Sequence, residues 1–386
     1  MIDEKRIKEN LDLVSFPRLS GSEGEKRAFN LVKNKIEELK LEPSVQNFSF
    51  TSFYPRVYQK VVLVSGFWAL FILYLNIEFI FTLINIIIVS LIVIPLIIMT
   101  RKPEKIKIGK IKTSQNLYIR LPANSSPSKK RTKNVQLSNY DGNLLFMCHL
   151  DSKGQRFPIL FRIYFFKLWM ITFGICMIII LLKNLIFPQI YIILFILGVF
   201  PLTLNLGATI IICLNTTNNK SPGALDNGSG IACVLELLNY YLDSNLRPRN
   251  FNLWFLFTGT EETGMMGIRH LYNKLEHLDQ TKSFMVSFDT IGSELDVITG
   301  EKGAFFFKTT PDFTINIHMP KRIRFYRSDA YYLSDKVFGG FGVLDIDSQK
   351  YAHSVDDTPE KVDCLLLKKL LTHITVMLKF IDRRPP

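Results

Sequence analysis

Two long apolar blocks set the first limit on what this chain can become. Val61–Met99 and Ile163–Cys213 are nearly unbroken apolar runs inside an otherwise hydrophilic sequence. Each is roughly twice the ~20 residues that one helix needs to cross a bilayer core. Asn76-Ile77-Glu78 interrupts the first near its middle, and Lys183-Asn184 and Pro188-Gln189 interrupt the second. Two spans per block fit these breaks, at about Val61–Leu75 and Phe79–Met99 in the first. Pairs of buried soluble helices would need a wet face, and few polar positions exist to make one. Pro201 is placed to kink the fourth helix. Each hairpin returns the chain to the side it left. The expected organisation is therefore one hydrophilic domain made from segments 1–56, 101–160 and 214–386, with transmembrane hairpins at 57–100 and 161–213.

Charge points to the same surroundings. The 386 residues carry a formal net charge of +13 with 48% hydrophobic residues, which suits either nucleic acid or an anionic membrane surface. No RNA-binding signature or C-x₂-C finger accompanies the charge, and cations flank the first block: Arg56 and Lys60 before it, Arg101, Lys102, Lys105 and Lys107 after it. The expectation is a membrane and no nucleic acid. The turns Asn76–Glu78 and Lys183–Gln189 hold one Lys between them, so the positive-inside rule places the hydrophilic domain in the cytoplasm. Asn47, Asn124, Asn215 and Asn227 open N-x-Ser/Thr sequons, which would matter only in a lumenal domain. Five scattered cysteines make no disulfide framework and fit a reducing compartment. MIDEKRIKEN holds no signal-peptide core.

The hydrophilic segments read as an α/β protein. Pro17, Gly21 and Gly24 make a turn, Ser20-Gly21-Ser22-Glu23 starts a helix, and Ala28, Leu31, Val32, Ile36 and Leu39 give that helix an apolar face. Strands are expected at Val45–Phe53, Asn116–Leu121, Leu144–Cys148, Phe284–Phe288 and Gly342–Ile346, and helices at Ile231–Tyr241 and Cys364–Phe380. Pro122–Lys133 reads as a Ser/Pro/Lys-rich surface loop. In FNLWFLFTGTEETGMMG, Phe251–Gly267, the apolar run Leu253–Phe257 has the form of a parallel strand buried on both faces. It stops at Gly259, and Glu261 and Glu262 follow.

Ligands of open α/β sheets bind beyond the carboxyl ends of such strands. Two adjacent carboxylates there point in different directions, so one can bind a metal while the other acts as a general base. Four other stretches offer similar residues: His149-Leu150-Asp151 after a strand, Asp226 in the Gly-rich SPGALDNGSG, Asp289 after a strand, and His353 in the loop Tyr351–Thr358. Singly each has a plain structural explanation as a core histidine, a cap or a turn. Together, two His and three carboxylates are the N/O donor set that suits zinc, with cobalt or manganese able to substitute.

These motifs resemble those of the M28 family of zinc peptidases, the co-catalytic aminopeptidases. CHLDS is similar to the family's His-x-Asp-Ser motif, PGALDNGSG to its Gly-Ala-x-Asp-Asn-x-Ser-Gly turn, and TGTEETGMMG to its Glu-Glu motif. FDTIG, RSDA and YAHSVDDTPEKVD complete the set, and GSEGE with the helix after it fits the family's opening. The resemblance implies a mixed, mostly parallel central sheet flanked by helices, and two Zn²⁺ ions bridged by Asp226. It implies His149 and Glu262 on one ion, Asp289 and His353 on the other, Glu261 as general base, Asp151 orienting His149, and Asp329 in a structural or substrate-side place. It further implies hydrolysis of a terminal peptide bond, with an aminopeptidase ahead of a dipeptidase or carboxypeptidase. The hairpins depart from ordinary secreted members, which have short loops there, and the second begins about a dozen residues after His149. The site is thus expected near the bilayer surface. Two alternatives are a single-zinc glutaminyl cyclase, which the complete ligand set opposes, and a non-catalytic receptor or scaffold, which would be expected to have lost ligands.

Overall fold

The computed structural model describes residues 1–124, 142–276, 278–308, 316–318 and 328–383, with the backbone alone at 306–308 and 316–318. Most of the loop expected at Pro122–Lys133 lies outside the described residues. In chain order the elements are α1 (Glu4–Val14), α2 (Glu23–Glu38), β1 (Ser44–Thr51), α3 (Gln59–Leu75), α4 (Phe79–Met99), β2 (Ile111–Leu121), β3 (Gly142–His149) and β4 (Gly154–Gln155). Next come α5 (Ile159–Leu181), α6 (Tyr191–Leu214), β5 (Thr217–Asn218), α7 (Ser229–Tyr240), β6 (Phe251–Thr258), α8 (Met266–Tyr272) and β7 (Ser283–Phe288). The chain ends with β8 (Asp296–Thr299), α9 (Glu301–Lys308), β9 (Asn316–His318), α10 (Asp329–Leu333), β10 (Gly339–Leu344) and α11 (Cys364–Arg383).

These elements form two compact units. The first is Met1–Ser49, Lys112–Gly154 and Asn218–Pro386, and the second is Phe50–Ile111 and Gln155–Thr217. The main sheet has eight strands in the order β1-β2-β6-β3-β7-β10-β8-β9. The pairs β6/β3, β3/β7, β7/β10 and β8/β9 are parallel, and β2/β6 and β10/β8 are antiparallel. The chain is thus an α/β protein with a mixed, mostly parallel sheet flanked by helices.

Every residue of β3, β6 and β7 is buried, which explains why these strands read as apolar runs rather than alternating patterns. Alternate side chains still serve opposite faces. Leu144, Phe146, Phe255, Phe257, Phe284 and Val286 pack with α1, α2, α7 and α11. Leu145, Met147, Trp254, Leu256 and Met285 pack on the other face with Ile268 and Leu271 of α8 and Leu333 of α10.

Two differences from the sequence reading stand out. The last strand is Gly339–Leu344 rather than Gly342–Ile346, because GGFG supplies paired backbone without an apolar run to announce it. The N-terminus forms α1, whose Ile7, Leu11 and Val14 are buried and whose Arg6 donates twice at 2.8 Å to the buried Glu236 carboxylate on α7.

In the second unit, four helices are long and apolar enough to cross a membrane: Tyr54–Leu75, Phe79–Met99, Ile159–Ile186 and Pro188–Leu214. The turns between them fall at the interruptions read from the sequence, with Asn76 in the left-handed region (φ 48°) ending α3, whereas the first and third helices begin earlier than Val61 and Ile163. Leu70, Tyr74, Cys176, Ile180 and Leu202 form one packed cluster. Polar groups inside the unit bond to one another: Trp169 Nε1 donates to Thr209 Oγ1 at 2.9 Å, and Asn205 Nδ2 donates to Thr172 Oγ1 at 2.9 Å. Lys183 reaches the Tyr74 carbonyl and lies against the Tyr74, Tyr191 and Phe195 rings. α4 has no buried residue, and most of its apolar side chains are exposed.

Candidate metal centre and active site

Three adjacent parallel strands deliver side chains to one edge of the sheet. β3 ends on His149, β7 is followed by Asp289, and β6 is followed by the turn holding Glu261 and Glu262. β3 and β7 pair with Met147 opposite Ser287, so two residues further the same register sets His149 opposite Asp289. Asp226 comes from the buried loop before α7. Its place is fixed by Asp357, which accepts from Leu225 N at 2.5 Å and Asp226 N at 3.4 Å. Asn227 ties the same loop to β7 through a 2.9 Å bond to the Phe288 carbonyl. His353 enters from the loop after β10 with φ 61°.

The two oxygens of Asp226 face two different histidines. Oδ1 lies 3.1 Å from His149 Nε2, and Oδ2 lies 3.2 Å from His353 Nε2. His149 Nε2 is also 3.6 Å from Asp289 Oδ1, and His353 Nε2 is 2.6 Å from Glu262 Oε1. Two groups result, His149–Asp226–Asp289 and Asp226–Glu262–His353, with the donor atoms of each within 4.8 Å of one another. All five residues expected as ligands therefore meet, and Asp226 is common to both groups. The partition differs from the one the resemblance implied, since His149 goes with Asp289 and Glu262 with His353. β3 is flanked by β6 and β7 alike; His149 lies against Asp289 after β7, and Glu262 after β6 lies against His353 from the loop after β10.

Electrostatics explain why such a cluster attracts positive charge. Burial opposes protonation of His149, yet Asp151, Asp226 and Asp289 raise its pKa well above the ordinary value. His353 is raised too, against burial, chiefly by Glu262. Burial works against ionisation of Glu262, but His353 and Lys153 hold its carboxyl down at about 2. Both imidazoles thus draw protons to offset a buried group of carboxylates. Glu262 Oε2 bonds Lys153 Nζ at 2.5 Å. Its Oε1 is buried and faces His353 Nε2.

Glu261 belongs to neither donor group among the described residues. Burial, with the nearby Glu262, Asp329 and Asp289 charges, pushes its pKa well above the usual carboxylate range, and His149 acts in the opposite sense. Asp151 lies under the turn, accepting from Glu261 N at 2.9 Å and Glu262 N at 3.1 Å. Its own carbonyl meets His149 Nδ1 at 3.0 Å, and its Oδ1 is 3.5 Å from the same nitrogen. Asp329 accepts from Thr258 Oγ1, and burial pushes its carboxyl to about 7.

Three residues around the site were given no role from the sequence. Lys153 directly follows His149-Leu150-Asp151-Ser152, and its position there was the only local signal. Asp357 stands in YAHSVDDTPEKVD, where nothing distinguishes it from Asp356 before folding. Arg18 is fully buried, and burial lowers its guanidinium to about 10. It donates to five carbonyls, those of Val14, Phe16, Leu150, Pro222 and Gly223.

Residues 208–377 match the sequence model of peptidase family M28. The M28 stretch includes Asp226, Glu261, Glu262, Asp289 and His353, whereas His149 and Asp151 precede it. No curated protein sequence matches the chain. Among solved structures, the chain is similar to an aminopeptidase from Aneurinibacillus sp. strain AM-1, with TM-score 0.58 and 14% identity over 100% of this chain and 95% of that one. It is similar to BSAP, a zinc aminopeptidase from Bacillus subtilis, with TM-score 0.54 and 13% identity over 98% and 95%. It is also similar to a glutaminyl cyclase from an Acidobacteriales bacterium, with TM-score 0.53 and 13% identity over 99% and 96%. At these identities the structural likenesses establish the fold alone.

Proposed function

We propose that the protein is a membrane-anchored, zinc-dependent exopeptidase of the M28 type, most simply an aminopeptidase, that holds two Zn²⁺ ions. The observation that carries this reading is Asp226, which turns one oxygen to each of two histidine–carboxylate groups. The donors fit zinc: each group offers one imidazole nitrogen and two carboxylate oxygens. His149, Asp226 and Asp289 would hold one ion, and Asp226, Glu262 and His353 the other. When bound, such ions polarise a scissile carbonyl and acidify water.

The remaining chemistry belongs to the chain's own residues. Glu261 accepts a proton from the attacking water and returns it to the leaving amine. Asp151 fixes both ends of this arrangement, through His149 and through the Glu261 and Glu262 amides. A cavity of about 370 Å³, lined by residues including Met285, Ile298, Tyr331, Phe341 and Gly342, adjoins Asp289. It offers room for an apolar substrate side chain.

The four apolar helices are read as spans at 57–100 and 161–213, with segments 1–56, 101–160 and 214–386 as one catalytic domain on the cytoplasmic side. Glutaminyl cyclases among the similar structures support a second reading as a single-zinc cyclase. Zinc content and peptide-library cleavage on detergent-solubilised protein test the choice. Two equivalents with release of terminal residues are expected. One equivalent, with cyclisation of N-terminal glutamine and no cleavage, would replace the peptidase reading.

A further inference from the structure

Four successive backbone N–H groups in the Glu261–Glu262 turn each donate to a side chain from elsewhere in the fold. Gly259 N donates to Asn116 Oδ1 at 3.0 Å, and Thr260 N to Glu25 Oε1 at 2.9 Å. Glu261 N and Glu262 N donate to the two oxygens of Asp151. Regular secondary structure would satisfy such amides through carbonyls, so acceptors from three separate segments mark a turn held from outside. Thr260 has φ 55°, a left-handed conformation that a β-branched residue rarely adopts and that needs outside support.

Glu25 is the most distant of these acceptors in sequence. It is 4% exposed, its Oε1 also accepts from Ser114 Oγ at 2.8 Å, and its Oε2 accepts from Gly21 N at 2.6 Å. Ser22-x-x-Glu25 has the spacing of a helix capping box, and Ser22 is the cap of α2. Oε2, however, accepts from the amide of Gly21, one residue before the cap, and Oε1 is given to the turn. The same short segment supports Asp151, because Ser20 Oγ donates to Asp151 Oδ2 at 2.6 Å. Close approach is enforced as well: a Cβ on Gly259 would lie 2.4 Å from Ser114 Oγ and 3.1 Å from Glu25 Oε1.

We propose that Glu25 is a positioning residue for Glu261: by holding Thr260 N it sets the direction in which the Glu261 carboxylate points. The inference rests on the reading of Glu261 as general base. A rotation at Thr260 moves Glu261 relative to the donor groups, and catalytic geometry tolerates little of that. Glu25 itself touches neither donor group.

The test compares wild type, Glu25→Ala, Glu25→Gln and Ser114→Ala in the same detergent. Zinc content, kcat and KM on a cleaved peptide are measured, with amide hydrogen exchange of the segment around 259–262 in the metal-free protein. Glu25→Ala is expected to lose at least tenfold in kcat, with KM within about threefold and zinc content unchanged. Exchange at 259–262 should rise at least tenfold, and the amides of β3 and β7 should stay protected. Glu25→Gln, which keeps one carbonyl oxygen for Thr260, should recover part of both losses. If Glu25→Ala does not fold, Glu25→Gln and Ser114→Ala carry the same comparison at smaller amplitude. Unchanged exchange at 259–262, or a kcat loss that only follows zinc loss, overturns the proposal. A wild-type enzyme that cleaves no peptide defeats the peptidase reading instead, and the exchange data then decide the role of Glu25 alone.

Discussion

The adjacent glutamates give the sharpest test of the site, because isosteric changes at neighbouring positions should have different consequences. In Glu261→Gln the backbone amide stays on Asp151 Oδ1 and both donor groups remain intact. Only the proton acceptor is lost. The expected fall in kcat is about 10²–10⁴-fold, roughly 3–5 kcal/mol in the barrier, with KM nearly unchanged and zinc content normal. In Glu262→Gln the amide cannot serve both of its neighbours. Either its NH₂ faces Lys153 Nζ, where Oε2 accepts at 2.5 Å, or it replaces the oxygen that faces His353. Losing a charge-assisted bond costs about 1.5–3 kcal/mol, which corresponds to a roughly 10- to 150-fold weaker hold on the second ion. Zinc content and kcat are measured for both variants, purified in the same detergent. Equal zinc loss in the two, or near-normal turnover in Glu261→Gln, would falsify the assignment.

Asp226→Ala removes the residue common to both groups, so zinc occupancy and activity should collapse together; two retained equivalents with normal turnover would refute the bridging role. Arg18→Met deprives five carbonyls of their shared buried donor, and a loss of about 3–5 kcal/mol is expected in denaturant unfolding; wild-type stability would contradict this. Among the described residues nothing lies within 4 Å of where a Cβ on Gly342 would be, and Gly342 lines the cavity beside Asp289. Gly342→Val should therefore fold normally and raise KM for substrates with large apolar side chains more than for alanine; equal effects on both would separate the cavity from the substrate. In sealed vesicles with known orientation, cytosol-side protease should cleave the catalytic segments, and a glycan attached at Asn124 would place them on the opposite side.

The strands that carry the site were legible because each is buried on both faces and so reads as an uninterrupted run. Leu144–Cys148 and Phe284–Phe288 were located within two residues of β3 and β7. The chemical residue follows immediately in each case, so strand and site were found together. The four apolar helices were legible for a related reason: a helix that is apolar all round stands out as a run, and its turns show where polar residues interrupt it. α1 was missed although Ile7, Leu11 and Val14 stand at helical spacing, because charged residues dominate the segment and hide three buried positions. β10 was shifted because glycines supply strand backbone without strand side chains.

Which ligand joins which group was a different kind of question, since no local pattern encodes strand order. β7, made far later in the chain, lies beside β3 and brings Asp289 to His149, while His353 reaches Glu262 from a loop. The supporting residues are harder still to read. Glu25 looks like half of a capping box until its second oxygen is seen on Thr260 N, and Asn116 looks like any polar strand residue until it spans Gly259 N and the Gly267 carbonyl. Such acceptors serve amides that remain exposed to water until separate segments meet, so their value is created by folding. Side chains that do the chemistry keep a recognisable type and spacing, because zinc and proton transfer select for them. Those that aim the chemistry need only a well-placed oxygen, which Glu, Asp and Asn all supply. For this reason the N-terminal segment, outside the M28 stretch at 208–377, can be essential to the turn at Glu261 without announcing it in sequence.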